Sequence, residues 1–403
     1  MKTHEIIIIG AGPAGLLSAY AAGAKALVLE ANPFAGKKLL LSGSGQCNFS
    51  NSLSKEEFLK NLRDASHYLK PSLYAFDREA FCKLLEENGC PWEEADEHKL
   101  FPASRQSSSV RDALLKAALA QGASIAYGQR VSKVSRKKGG IFEIQTENEH
   151  YSCEQLILAS GGQSWPQTGS DGSSYRIARS LGHKITNPRP SLASVELDGH
   201  TCLSECSGLS LKNIKICMCT DSGRIHDEGD LLFTHKGLSG PVILNNSYLM
   251  NRGTRIGLAL VENAQEQLSE LIKKEPKKQL NNALKLLNLS ECLIAAILHR
   301  LELDGSQVLA ILKAEDRKLL ANFLQNAVFS VKKMESLETC MATSGGIELK
   351  DINSRNLESR VCPGLYLTGE MLNYHAPTGG YNIQLAASTG YLAGLSAARK
   401  TLD

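Results

Sequence analysis

Four consecutive isoleucines, Ile6 to Ile9, run straight into Gly10-Ala11-Gly12-Pro13-Ala14-Gly15 and from there into an apolar helix, and this junction constrains the fold more than any other feature of the chain. A strand that stops at a GxGxxG turn, opens a helix and is followed by a second strand, here Ala26 to Glu30, is the fingerprint of a dinucleotide-binding βαβ unit. Gly10 permits the tight turn, Gly12 lets the backbone approach a pyrophosphate, and Gly15 lets the helix pack close to the strand. Ala11, Pro13 and Ala14 are counted with them as cofactor-binding positions, and the helix N-terminus faces the phosphates. Glu30 stands 20 residues after Gly10, where a carboxylate accepts hydrogen bonds from both ribose hydroxyls and disfavours a 2′-phosphate.

Three further segments carry more glycine and small polar residues than their structure needs. The loop from Gly36 to Asn48 places Lys38, Ser42, Gly43, Gly45, Cys47 and Asn48 just past the ribose-binding strand, where amides or the Lys38 ammonium reach phosphate oxygens. An apolar strand, Gln155 to Ala159, stops at Ser160-Gly161-Gly162, at the carboxyl edge of the sheet where doubly wound folds bind ligands. A last strand, Leu365 to Thr368, stops at Gly369-Glu370, and Thr378-Gly379-Gly380-Tyr381-Asn382 leads into a helix expected over 383–395. Its positive N-terminus can point at a carbonyl of the cofactor's ring. Val131, in a strand between these segments, is included among the cofactor-binding residues. A dinucleotide site assembled from both ends of a chain indicates FAD.

At 403 residues the chain exceeds one typical domain, and 42% hydrophobic and 22% charged residues place it among globular proteins. A net charge of +3 is too small to argue for nucleic acid. The first strand has Glu5 ahead of it and glycine after four isoleucines, so it is neither a signal peptide nor a spanning helix, and a cytoplasmic location without membrane contact is expected. Eleven scattered cysteines read as reduced thiols. Cys202, Cys206, Cys217 and Cys219 lack a flanking ligand pair at zinc spacing and read as buried core thiols, with no metal expected. The absence of a CxxC pair disfavours a flavin disulfide reductase.

A helical stretch is expected from Lys55 to about Asn88, with Phe58, Leu59, Leu62, Leu69, Phe81, Leu84 and Leu85 as core. A helix over 110–120 ends at Gly122. Strands follow near 124–134, 141–146 and 155–159, with a hairpin turn at Lys137 to Gly140, as a meander over the main sheet. From Pro188-Arg189-Pro190 to about 260 the pattern alternates as in a β domain, and from 262 to 327 it is helical, with a solvated turn at Lys273 to Lys278. His235, in the glycine-rich segment Leu231 to Pro241, either faces substrate or is a surface hairpin histidine.

In this order the segments resemble the aminoacetone-oxidase-type, or BaiN-type, NAD(P)/FAD-dependent flavoproteins of bacteria. The resemblance spans nearly the whole chain. It rests on Gly10 to Gly15, Lys37 to Asn48, Lys99-Leu100-Phe101-Pro102, Gly161 to Gly172, Phe233 to Pro241, Thr343 to Gly346 and Gly369 to Asn382. It implies an α/β fold with a discontinuous Rossmann-like FAD domain, residues 1–190 plus 345–403. It also implies a β-barrel domain, 191–261 plus 328–344, bearing a helical insertion, 262–327. Glu370 would stand near the ribityl and pyrophosphate, and Thr378 to Asn382 would line the isoalloxazine. Three departures stand out. Gln46 replaces an arginine, Asn373-Tyr374-His375-Ala376 replaces an acidic stretch ending in glycine, and the helix after Gly15 is about one turn short.

The expected function is an FAD-dependent reductase that takes hydride from NADH or NADPH and passes it to an activated C=C bond of a small molecule. Nothing resembles a second complete GxGxxG, so the nicotinamide cofactor would bind only transiently. The alternatives are a flavin amine oxidase of aminoacetone type using oxygen, a reductase of uracil in ribosomal RNA, and a flavin-stabilised RNA-binding factor. The last would use lysines 273, 274, 277, 278, 332 and 333, although charge does not call for RNA. His235, His375 and Tyr381 are the candidates for the catalytic acid or base.

Overall fold

The computed structural model describes residues 1–199, 204–221 and 223–400, and it divides into two compact units, Met1–Ser191 with Leu337–Asp403, and Leu192–Ser336. The first unit begins with β1 (Lys2–Ile9), α1 (Pro13–Ala22) and β2 (Ala26–Leu29). Ile6 to Ile9 are at most 7% exposed, because β1 lies between two parallel neighbours and both its faces are covered.

The chain then leaves the sheet for β3 (Ser50–Asn51), α2 (Lys55–Lys60), α3 (Ser66–Ala75), α4 (Arg78–Glu87), β4 (Trp92–Ala95), β5 (Lys99–Pro102) and α5 (Ser107–Ala120). The expected long helix over 55–88 is three short ones. Its apolar face is buried as the periodicity requires, but the chain breaks at Arg63, where φ is +51°, and again at the Asp77 cap. Ser54 and Glu57 form a capping box that starts α2, and the Asp77 carboxylate accepts from the Ala80 N–H at 2.9 Å to start α4. The chain returns through β6 (Ser124–Ala126), β7 (Val131–Arg136), β8 (Phe142–Thr146) and β9 (His150–Leu158), and continues to α6 (Ser173–Ser180) and β10 (Ile185–Ser191). β9 does two jobs: its first half closes an antiparallel meander with β8 on one side, while Tyr151 to Leu158 pair parallel with β1 on the other.

The second unit contains β11 (Val195–Leu197), β12 (Ser210–Thr220), β13 (Gly223–Phe233), β14 (Gly237–Ser239), α7 (Pro241–Leu244), β15 (Arg255–Leu258), α8 (Ala264–Lys274), α9 (Leu280–Leu284), α10 (Glu291–Arg300), α11 (Ala314–Gln325) and β16 (Ala327–Met334). Its strands close into a six-stranded antiparallel barrel in the order β11-β14-β13-β12-β15-β16. Phe233, Ile256 and Leu258 of the barrel share one buried cluster with Leu268, Leu280 and Ile297 of the helices, so the helical stretch is one unit with the barrel. Cys206 is buried there, but Cys217 is half-buried and Cys219 exposed. Their strand face points outward and Met218 points in, which reverses the expected core assignment. Cys202 lies outside the described residues.

The chain re-enters the first unit with β17 (Ala342–Ile347), β18 (Leu365–Leu367) and α12 (Tyr381–Lys400). β17 pairs with β10, Ser191 opposite Ala342, which assigns residues 337–344 to this unit although they were expected in the barrel domain. β18 runs parallel to β9, giving a parallel series β6-β2-β1-β9-β18. α12 packs on α1 almost backbone to backbone. A Cβ at Gly390 would lie 2.1 Å from the Ala14 carbonyl oxygen and one at Gly394 2.1 Å from that of Ser18, and the Ser18 hydroxyl donates to the Gly390 carbonyl at 2.9 Å. No described helix is long and apolar enough to cross a membrane.

Candidate cofactor site

The carboxyl ends of β1, β2 and β9 and the N-terminus of α1 enclose a cleft bordered also by Gly36 to Leu39, Val131, Ser160, Gly161, Gly369 and Glu370. The three fingerprint glycines divide the work. Gly10 has φ +102° and a Cβ there would sit 2.7 Å from the Ala159 carbonyl oxygen, and one at Gly15 would sit 1.8 Å from that of Gly10, so both are demanded by the fold itself. A Cβ at Gly12 would meet nothing within 4 Å. The space it leaves is open to a ligand. Gly12 caps α1 without a side-chain hydrogen bond, so the first-turn amides remain directed at the cleft.

Glu30 is 7% exposed and its carboxylate is already oriented. Oε2 accepts from the Ala11 N–H at 2.7 Å, and Oε1 accepts from the Asn32 N–H at 2.8 Å and from its side-chain amide at 2.7 Å. Asn32 in turn donates to the Thr168 carbonyl at 3.0 Å. Ser170, on the same wall, keeps a buried hydroxyl with no partner among the described residues. An open glycine, free helix amides, a pre-set carboxylate and an orphaned hydroxyl fit an adenine dinucleotide.

Glu370 is the hub of the middle of the cleft. Oε2 accepts from Lys38 Nζ at 2.5 Å and Oε1 from the Thr343 N–H at 2.9 Å and the Ser164 hydroxyl at 3.1 Å. Burial raises the affinity of this carboxyl for its proton, but the Lys38 charge and the hydrogen bonds outweigh it and hold the group below the usual carboxylate range. The Lys38 ammonium, expected to reach phosphate oxygens, is thus committed to Glu370 and to the Ser164 hydroxyl, the latter also at 2.5 Å. Gly161 has φ +78°, and a Cβ on Gly162 would lie 2.4 Å from Thr343 Oγ1, which accepts from the Gln163 and Ser164 amides.

The rest of the early loop turns away from this cleft. Gly43, Gly45 and Cys47 have φ of +55°, +89° and +61°, and the Ser42 hydroxyl donates to the Leu39 carbonyl at 2.6 Å. The Cys47 thiol is fully buried, and burial pushes it up to about 12. What the loop reaches is the turn before α12. Asn48, its amide oriented to satisfy both ends, donates to the Ser50 carbonyl at 2.7 Å and accepts from the Gly380 N–H at 3.1 Å.

The candidate acids and bases are differently placed. Tyr381 is 5% exposed, its ring 4.4 Å from Phe58 and its hydroxyl accepting from the Asn61 amide at 2.7 Å, so its side chain is built into the α2 packing. His375 is half-buried with Nδ1 2.9 Å from the Ser191 hydroxyl. His235 is exposed at the turn between β13 and β14, in the second unit. Asn382 donates to the Ala376 and Pro377 carbonyls at 3.3 Å, which fixes the turn that carries Thr378, Gly379 and Gly380. Asn32, Ser164, Ser170 and Thr343 were not expected in the site. Of these, Ser164 and Ser170 lie in the motif segment Gly161 to Gly172 and Thr343 opens Thr343-Ser344-Gly345-Gly346, whereas Asn32 had no signal.

A family model described as the HI0933-like protein Rossmann domain matches residues 4–396. The chain belongs to this family. It is an FAD-dependent oxidoreductase family. The HI0933-like chain is 30% identical over 406 residues to a ribosomal RNA dihydrouridine synthase of Haemophilus influenzae, covering 98% of this chain and 99% of the relative. It is 27% identical to a 3-dehydro-bile acid delta(4,6)-reductase of Clostridium scindens, covering 98% of this chain and all of the relative. Among solved structures, a 3-ketosteroid-delta4-(5alpha)-dehydrogenase of Rhodococcus jostii superposes with a TM-score of 0.51 at 13% identity, over 98% of this chain and 97% of its own. That likeness concerns the fold.

Proposed function

We propose that this HI0933-like protein is a cytoplasmic reductase that uses NADH or NADPH to reduce an activated C=C bond, in a uracil base of ribosomal RNA or in a steroid-like ring. The observation that carries the cofactor half is the cleft at α1, with its open Gly12, uncapped first-turn amides directed into it and pre-oriented Glu30. The names of the two curated relatives support the reaction half, since a dihydrouridine synthase and a delta(4,6)-reductase both saturate a C=C bond.

Bound in the cleft, FAD supplies hydride transfer between the nicotinamide and the acceptor. The chain does the rest. The amides of α1 hold the pyrophosphate, Glu30 receives the ribose hydroxyls, and Glu370, kept anionic by Lys38, receives ribityl hydroxyls. The N-terminus of α12 presents positive potential to the ring that Thr378 to Asn382 line. His375, whose Nδ1 lies 2.9 Å from the Ser191 hydroxyl, is the candidate donor of the proton to the substrate carbon.

The test is the visible spectrum of the purified protein mixed anaerobically with NADH and with NADPH, then exposed to air. Bleaching of the flavin band by a nicotinamide cofactor, with slow recovery in air, is the expected result. Bleaching by amines alone would replace the reductase reading with an oxidase. A colourless protein that binds no added FAD would overturn the cofactor reading.

A further inference from the structure

At the turn before α12 the chain keeps a polar atom for which it has no partner of its own. Asn51 is 3% exposed and its amide nitrogen donates to the Gly379 carbonyl at 2.9 Å, yet its Oδ1 is buried and accepts from no donor among the described residues. A buried acceptor without a donor is uncommon and unfavourable by about 1–3 kcal/mol. The neighbouring donors are engaged elsewhere. Lys55 borders the same recess but its ammonium lies 2.5 Å from Asp77, and Arg78 donates to the Ser52 carbonyl and to Glu79.

The residue is also held so that it cannot drift toward another donor. β3 pairs with β5, Ser50 opposite Leu100, and the Phe49 ring packs edge-on against Phe81 at 5.2 Å. The Ser50 hydroxyl donates to Gln384 Oε1 at 2.6 Å, and a Cβ on Gly380 would lie 2.3 Å from the Ser50 carbonyl oxygen. β3 and the start of α12 are therefore in direct contact. Asn51 Oδ1 is fixed relative to the turn Gly379–Gly380 from both sides.

We propose that Asn51 positions the cofactor's ring: its N–H locks the Gly379 carbonyl, which aims the α12 N-terminus, and its Oδ1 accepts the imide N–H of the isoalloxazine. The imide is the one N–H that the oxidised ring presents, and an orphaned acceptor is its complement. This rests on the reading above in which Thr378 to Asn382 line that ring.

The test is calorimetric binding of FAD and of N3-methyl-FAD, in which a methyl replaces the imide hydrogen, to apo-protein of the wild type and of Asn51→Ala. The wild type should bind N3-methyl-FAD at least tenfold more weakly than FAD. Asn51→Ala should bind FAD at least tenfold more weakly than the wild type and lose most of the discrimination. Equal affinity of the wild type for the two flavins overturns the proposal without recourse to any variant. So does an Asn51→Ala protein that keeps the full discrimination, which would make the residue purely structural. Failure to bind either flavin would sink the cofactor reading itself, a different outcome from loss of discrimination.

Discussion

The two ends of the cleft are built in opposite ways. At α1, residues 10–32 supply the turn, the helix amides, the carboxylate and the amide that orients it, so one short run of chain makes the site. At α12, the turn is clamped by Asn48, Ser50 and Asn51, more than three hundred residues earlier in sequence, through side-chain hydrogen bonds and a glycine with no room for a Cβ. The first end is a local motif. The second exists only when the fold is complete, so changes there should couple cofactor retention to folding, whereas at Gly12 the two should separate.

The sharpest break of this comparison sets Gly12→Ala against Gly380→Val. Gly12→Ala should leave the melting temperature of the apo-protein unchanged while abolishing flavin retention, because the new methyl enters ligand space. Gly380→Val should lower both, because φ is +84° and the Ser50 carbonyl is in the way. Purification of Gly380→Val still yellow and undiminished in stability would refute the clamp. Next in size, Lys38→Met strands the Glu370 carboxylate and should lower apo-protein stability in urea by about 2–3 kcal/mol, less than for a fully buried pair because both side chains keep some exposure.

The same pair has a pH signature. The folded-state proton affinity of Glu370 is depressed, so its contribution is complete above the ordinary glutamate value of 4.5 and is lost as pH falls through the lower folded value. Stability of the wild type should decline below that point, and Lys38→Met should lack this share of the decline. Glu30→Gln should weaken FAD binding by about 1.5–3 kcal/mol, tenfold or more by calorimetry, and should also lower apo-protein stability by about 1–3 kcal/mol, because the new NH2 cannot accept from the Ala11 or Asn32 N–H. Smallest, Ser54→Ala removes the cap of α2, the helix that carries Phe58 against Tyr381, and should cost about 1 kcal/mol of stability on denaturation.

The difference between the two ends also explains what was legible in the sequence. The βαβ unit, the meander and the return of the last strand were all signalled by apolar runs ending at glycine. The alternation after residue 190 likewise announced the barrel. Asn32 and Asn51 were not, and Ser164 and Thr343 lay in motif segments that did not disclose their roles, because each is a single polar residue whose meaning comes from a partner brought near by the fold: Glu30, Gly379, Glu370 and the Gln163 amide. Caps inside a continuous apolar periodicity, such as Asp77, were hidden for a related reason: the stripe of core residues continues across the break. Tyr381 read as a reactive group by its position beside Gly380, and only the Asn61 and Phe58 contacts show how its side chain is occupied.

The glycine seam between α1 and α12 sets an order of events in the life of the chain. Ala14 and Ser18 are made more than 370 residues before Gly390 and Gly394, which press against their carbonyls. At about 5–20 residues per second, α1 waits on the order of 20–70 s for its partner. The second unit, contiguous from Leu192 to Ser336, has all its strands and helices before that. The nucleotide-binding face is thus begun before the second unit and finished after it, and a nascent chain stopped before residue 390 would lack the helix that covers this side of α1.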